Sequence, residues 1–317
     1  MARAAERGRE ADHPTEIPAA GWRDILLRVW QQIAADNISM IAAGVAFYGL
    51  LAIFPAITAF VSIWGLIADP AQVQQQFASL KEIVPQEAWN LLNDQLRSVA
   101  STGATKLGWG VALGIVVALW SAGAGVRALI TALNIAYEEE EKRGFVKFYA
   151  VAFLFTLALV AAAVVALTVI VAVPVALQFL PLGGLADAAI RTLTWMVLAG
   201  LVIVGLAVLY RYGPSRSHAR MRWVTWGAVA AAGVWLLASF AFQIYAANFA
   251  NYSATYGSLG AVIALLMWFW VSAFVVLLGA ELNSEMEHQT RRDSTTGPEK
   301  PLGKRGAYVA DHVGEVP

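Results

Sequence analysis

Charged side chains punctuate this chain at uneven intervals, and the uncharged stretches between them predict its elements. No Asp, Glu, Lys or Arg lies between Asp36 and Asp69, between Lys106 and Arg127, from Phe148 up to Asp187, between Arg191 and Arg211, or between Arg222 and Glu281. A helix that crosses the hydrocarbon layer of a bilayer needs ~20 mostly apolar residues, so each of the first four stretches predicts one span. The fifth is too long for a single helix. Its polar middle, Asn248-Phe-Ala-Asn-Tyr-Ser-Ala-Thr-Tyr-Gly-Ser258, divides it in two. The pattern thus predicts an all-α polytopic membrane protein with six transmembrane helices, near 40–67, 107–127, 148–173, 191–211, 224–247 and 258–281.

Two amphipathic stretches flank the first span. Trp22, Ile25, Leu26, Val29 and Ile33 recur at helical spacing, with Arg23 and Arg28 among them. They fit either a short helix on the inner leaflet or the first turns of a long first span. In the first external loop, 69–106, Pro85 and Glu87 suit a helix start, and Trp89, Leu92, Leu96 and Val99 form one stripe. This predicts a periplasmic amphipathic helix, or a plain interfacial one without function. Residues 1–20 and 289–317 are polar and contain Pro and Gly, and read as disordered tails. The first twenty residues lack the apolar core of a signal peptide.

Orientation follows from Lys and Arg. With six spans, eighteen of them fall on the side of the termini, and four (Lys81, Arg97, Lys106 and Arg191) on the other. By the positive-inside rule both termini are cytoplasmic.

Composition excludes most other classes. Apolar residues make up 59% of the 317, charged residues 14%, and the mean hydropathy is +0.60. An ordinary soluble domain carries about 25% charged residues. Lys plus Arg and Asp plus Glu are both 22, so the net charge is zero and the basic excess of a nucleic-acid binder is missing. Without cysteine, disulfides, thiolate metal sites and thiol nucleophiles are excluded. The four histidines, His13, His218, His288 and His312, are scattered. Consecutive acids Glu138 to Glu141 point in different directions on a helix and read as a solvated turn. No phosphate-binding loop, Gly-x-Ser-x-Gly or His-Glu-x-x-His motif is present. The sequence therefore predicts no catalytic residue, no cofactor and no metal, with membrane lipids as the partner and no nucleic acid.

The polar residues near the membrane fall into two layers. The inner one contains Asp36, Asn37, Arg127, Asn134, Glu281 and Asn283. Ionisable groups at such depth are functional candidates, although Arg can also snorkel to the interface. Arg127 and Glu281 end their spans at equal depth with opposite charge, and are predicted to pair. The layer is then either a working gate or headgroup contact, or a structural clasp. The outer layer is the uncharged fifth-to-sixth loop with Tyr245, Asn248, Asn251, Tyr252, Thr255 and Tyr256, fit for headgroup contact or an ordinary aromatic belt. Pro55 lies inside the first span and predicts a kink. Gly110 and Gly114, the run from Ser121 to Gly125, and Ala42, Ala46 and Gly49 allow close helix packing. Packing within one chain, or a homodimer seam, would both use them.

Several of these segments resemble a known family. They are Ala42-Ala-Gly-Val-Ala-Phe-Tyr-Gly-Leu-Leu-Ala-Ile-Phe-Pro55, Leu119-Trp-Ser-Ala-Gly-Ala-Gly-Val-Arg127, Asn251-Tyr-Ser-Ala-Thr-Tyr-Gly-Ser-Leu259 and Gly279-Ala-Glu-Leu-Asn283. Over residues 22–287 the chain is similar to the YihY/BrkB family of bacterial inner-membrane proteins, once mislabelled ribonuclease BN. The resemblance implies a six-helix, multi-pass inner-membrane protein associated with envelope integrity, with no settled chemistry. Two functions compete. One is a transporter-like protein that handles a lipid or other amphipathic envelope component. The other is a structural protein that stabilises an envelope complex, favoured by the absence of charge at mid-membrane. An intramembrane or tRNA-processing enzyme is a distant third.

Overall fold

A computed structural model describes residues 7–67, 109–179, 184–256 and 258–317. In lipid every backbone polar group must be satisfied within its own segment, so long apolar runs fold as helices. The helices are α1 (Ala19–Ala35), α2 (Ile38–Ile67), α3 (Trp109–Ala136), α4 (Phe145–Phe179), α5 (Gly184–Tyr212), α6 (Met221–Tyr256), α7 (Ser258–Gln289) and the short α8 (Tyr308–Asp311). A 3-10 turn covers Pro14–Glu16. Among the described residues the only β feature is an isolated bridge between Ala219 and Thr295. Among the described residues five helices are long and apolar enough to cross a membrane, or six if the bent pair α1–α2 counts as one span. The protein is therefore an all-helical polytopic membrane protein. The predicted external helix at 85–99 lies outside the described residues.

The amphipathic stretch at 22–33 forms a helix of its own. α1 meets α2 at 62°. Asn37 turns the corner with φ 53°, a left-handed conformation that Asn tolerates better than most residues. Pro55 sits within an unbroken α2. Pro lacks the N–H that would bond the carbonyl four residues earlier, but the sharp bend of this region is at residues 36–37.

Packing follows the small residues. α3 lies along α2, where a Cβ added to Gly125 would come 3.3 Å from the Gly49 Cα. Ala42, Ala46 and Ala122 are buried in this neighbourhood. The small residues thus serve contact between helices of one chain. Gly110 and Gly114 lie in a part of α3 whose side chains are outside the described residues. α7 is the central helix, touching α1, α2, α3 and α6. Its neighbours are pinned by aromatic donors. Trp270 Nε1 donates to the Ser39 carbonyl at 3.0 Å, Trp235 Nε1 to Ser272 Oγ at 3.1 Å, and Tyr210 Oη to the Val276 carbonyl at 2.8 Å.

Among the described residues, 7–20 and 289–317 are packed rather than disordered. Arg305 donates to the carbonyls of Arg291, Arg292, Lys300 and Ala310. Arg9 donates to the Gly314 carbonyl at 2.6 Å, and Thr290 Oγ1 to the Ala11 carbonyl at 2.6 Å. The expectation of disorder rested on low apolar content. Here arginine–carbonyl hydrogen bonds add to the burial of a few apolar side chains, Ala11, Ile17 and Val309. The described N-terminal residues, from Arg7 on, consequently lie at the same end of the bundle as the C-terminal segment.

Candidate functional site

The polar end of the bundle holds a buried ionic core, built mostly on the last two turns of α7. The predicted sixth span ended at Glu281, but α7 continues to Gln289, and Glu281 to Gln289 turn largely into protein. Arg28 of α1 donates to Glu285 and Gln289 of α7. Arg216, in the α5–α6 turn, donates to Glu287 Oε2 at 2.6 Å and sits over the Tyr137 ring, 5.0 Å from its centroid. Ser294 Oγ donates to the same Glu287 oxygen. Burial opposes the charge of Arg216, yet Glu287 outweighs it and holds the guanidinium above its ordinary pKa. These partners lie far apart in sequence, and nothing in their local spacing announces them.

The predicted inner layer divides into separate roles. Asn134 is buried and bridges two turns, donating to Glu141 Oε2 at 3.0 Å and accepting from the Ser215 N–H at 2.8 Å. Burial alone would raise Glu141, but donors from Arg143 and Asn134 hold it down at about 2. Asn283 fastens α7 to α6 by accepting from the Gly227 N–H and donating to the Val224 carbonyl. Asn37 forms the α1–α2 corner. Asp36, beside it, faces Glu281 carboxyl to carboxyl. Two ionised carboxylates have no donor between them, and Asp36 Oδ2 and Glu281 Oε1 are buried without a hydrogen-bond partner.

The expected Arg127–Glu281 pair is not formed. The Arg127 guanidinium folds back along α3 and donates to the Trp120 carbonyl at 3.3 Å. It lies 5.7 Å from the Trp120 ring and 5.0 Å from the Tyr149 ring, which stack on each other. Equal depth did not imply equal azimuth: Arg127 faces α4, and Glu281 faces the α1–α2 corner. Cation–π contact replaces the ion pair. Arg127→Ala and Glu281→Ala should therefore act independently. Their stability losses, measured by thermal unfolding, are expected to add within about 0.5 kcal/mol, and a markedly smaller loss in the double variant would restore the pair.

Of the predicted outer contacts, Tyr245 is partly exposed on α6 and its hydroxyl reaches Met267 Sδ of α7. Asn248, Asn251, Tyr252, Thr255 and Tyr256 were expected in a loop but belong to the last turns of α6. Their side chains are outside those described.

Beside the ionic core a groove of about 840 Å³ opens between α4 and α5. Its mouth carries Lys142, Arg143, Lys147, Arg216, Ser217 and His218, and its walls are Val151, Leu154, Phe155, Ala158, Val208 and Tyr212. None of the lining residues is acidic. His218 reports the local field. Burial is the main cause of its lowered pKa, a hydrogen bond to the Arg211 carbonyl opposes the shift, and the positive charges of Arg211, Arg216 and Lys147 add to it. The inner-layer residues singled out from sequence are absent from the groove's lining, so sequence reasoning missed it. The one available signal was the cluster of Lys and Arg in the two turns that border it. Among the described residues no group of three or more His, Asp or Glu is placed to hold a metal.

Fold and site together define a polytopic helical membrane protein with an ionic core and an amphipathic groove at the end that carries both termini. The family described as virulence factor BrkB matches residues 29–303, and the chain belongs to it. A ribonuclease-like protein of Bacillus subtilis, YfkH, is 30% identical over 77% of this chain and 88% of its own length. A UPF0761 membrane protein of Acinetobacter baylyi is 25% identical over 83% of this chain, and the match covers 62% of that protein. Another, from Photobacterium profundum, is 23% identical over 84% of this chain and 82% of its own length. No solved structure matches the chain at a significant level.

Proposed function

We propose that this is an inner-membrane protein of the cell envelope that handles a lipid or other amphipathic component from its cytoplasmic side. The observation that carries the reading is the groove: a mouth rich in cations leads into apolar walls formed by two membrane-spanning helices. A head of negative charge and an apolar tail match that gradient. The excess of Lys and Arg at the end that holds both termini supports a cytoplasmic orientation for it. The reading is non-enzymatic. Arg28 and Arg216 occupy Glu285 and Glu287 in ion pairs, which leaves these acids unsuited to act as bases. The name of the Bacillus relative raises the opposite reading, so RNA belongs in the test.

The test uses purified protein in phospholipid vesicles. Exchange of a fluorescent phospholipid between leaflets should be faster than in protein-free vesicles, and the same preparation should leave added RNA intact. No acceleration would favour a purely structural protein. That second reading has its own support, because the ionic core ties the described N-terminal residues to the C-terminal segment. RNA cleavage by the pure protein would overturn the non-enzymatic reading.

A further inference from the structure

We propose that the groove between α4 and α5 is a binding site for the anionic phosphate headgroup of a phospholipid, with Arg216 and Lys147 as its principal cations. The inference rests on the reading of the groove as a lipid site and adds the headgroup class and the residues that select it.

The cations at the mouth are not equivalent. Lys142 is engaged by Glu139 at 2.7 Å, and Arg143 by Glu141 at 2.7 Å. Lys147 is exposed and makes no ion pair among the described residues. Arg216 has a side chain only 1% exposed. Its Nη2 is held by Glu287 and its Nε by the Ser217 carbonyl, while Nη1 is buried with no hydrogen-bond partner. Burying a guanidinium N–H without an acceptor is costly. A phosphate oxygen supplies the acceptor, and the planar guanidinium suits it. A positive surface alone would follow from the positive-inside rule and mean little. A buried, unsatisfied guanidinium nitrogen on a residue that lines the groove is a separate observation.

One further group fits the same ligand. α4 starts at Phe145, at the mouth, and the first N–H groups of a helix have no partner within it, so they attract anions. The walls decide between a lipid and a free phosphate. Leu154 is strongly exposed on α4, and with Phe155 it continues the groove along the span. A soluble phosphate gains nothing from that surface, whereas an acyl chain is stabilised by covering it.

The experiment measures binding by the full chain in detergent, by native mass spectrometry, of phosphatidylglycerol, phosphatidylcholine and inorganic phosphate. Phosphatidylglycerol should be retained at least tenfold more tightly than phosphatidylcholine. Lys147→Gln should lower that affinity about tenfold, the loss of one charge-assisted contact. Lys147 is exposed, so the variant should fold, and unchanged monodisperse elution will verify this. Lys304→Gln, an exposed cation outside the groove lining, should change nothing. Equal retention of the two lipids, or an unaffected Lys147→Gln, would overturn the site. So would displacement of phosphatidylglycerol by equimolar inorganic phosphate, which would make the ligand a soluble anion. Leaflet exchange in the same preparations separates the two claims. Exchange without headgroup preference removes the site and leaves the function; selective binding without exchange does the reverse.

Discussion

Glu287→Ala should be the most damaging single substitution at the polar end, with an expected loss of about 3–5 kcal/mol. Glu287 is fully buried on the last turn of α7, and the Arg216 side chain opposite is almost as deeply enclosed. Removing the carboxylate leaves a guanidinium in the protein interior with no counter-charge, and also strips Ser294 of its acceptor. The wild-type pair contributes far less than this figure, because desolvating both charges offsets much of their attraction. The two effects separate in a double variant. Glu287→Leu combined with Arg216→Met leaves no stranded charge, and should recover most of the stability lost by Glu287→Ala. Thermal unfolding in detergent, followed by tryptophan fluorescence, would measure all three. A Glu287→Ala protein with the wild-type midpoint would show that the pair is hydrated and structurally idle.

The spans were legible from sequence because the bilayer enforces a single rule, that charges stay out of the hydrocarbon. The gaps between charges therefore mark the helices without knowledge of the contacts. The same rule fails at the ends. Glu281, Glu285 and Glu287 look like the end of a span entering water, but they enter protein, and α7 runs on to Gln289. Composition records that a residue is charged and not what it faces. The residues after Asn248 look like a loop for a similar reason. They are polar, but they include no helix breaker until Gly257, and α6 continues to Tyr256.

The candidate site was legible as a depth but not as a set of contacts. Asp36, Asn37, Asn134, Glu281 and Asn283 do gather at one end, as their positions at helix ends imply. Their partners depend on rotation about each helix axis and on which helices are neighbours. Arg127 illustrates this, since it meets the Trp120 carbonyl and the rings of Trp120 and Tyr149 rather than the carboxylate at matching depth. The tails were misread because hydrophobicity was the measure of order. Arg305 orders its segment by donating to four backbone carbonyls, an interaction that no apolar pattern reveals.

The contact between α6 and α7 depends on two glycines, and Gly227→Ala should separate the helices. A Cβ at Gly227 would run into the Gly279 carbonyl oxygen and the Asn283 side chain. At Gly279 it would meet the Tyr210 hydroxyl, with the Ala231 Cβ at 2.7 Å and the Gly227 carbonyl at 2.8 Å. The obstacles include main-chain atoms of the neighbouring helix, which cannot rotate aside. The crossing must widen, and Asn283 must give up its bond from the Gly227 N–H. Overpacking of this kind costs about 1–3 kcal/mol, and the stranded amide adds to it. Gly233 lies on the same helix with nothing within 4 Å of its added Cβ. Gly233→Ala should be neutral or stabilise by up to about 1 kcal/mol, since alanine restricts the unfolded chain without meeting a neighbour. The pair of variants therefore separates close packing from helix propensity in one experiment. A lowered unfolding midpoint for Gly227→Ala beside an unchanged or raised one for Gly233→Ala is the expected result. Equal shifts in the two would mean that α6 and α7 are not in backbone contact. α7 would then not be held by α6 at the depth where it carries Glu281, Glu285 and Glu287 to their partners.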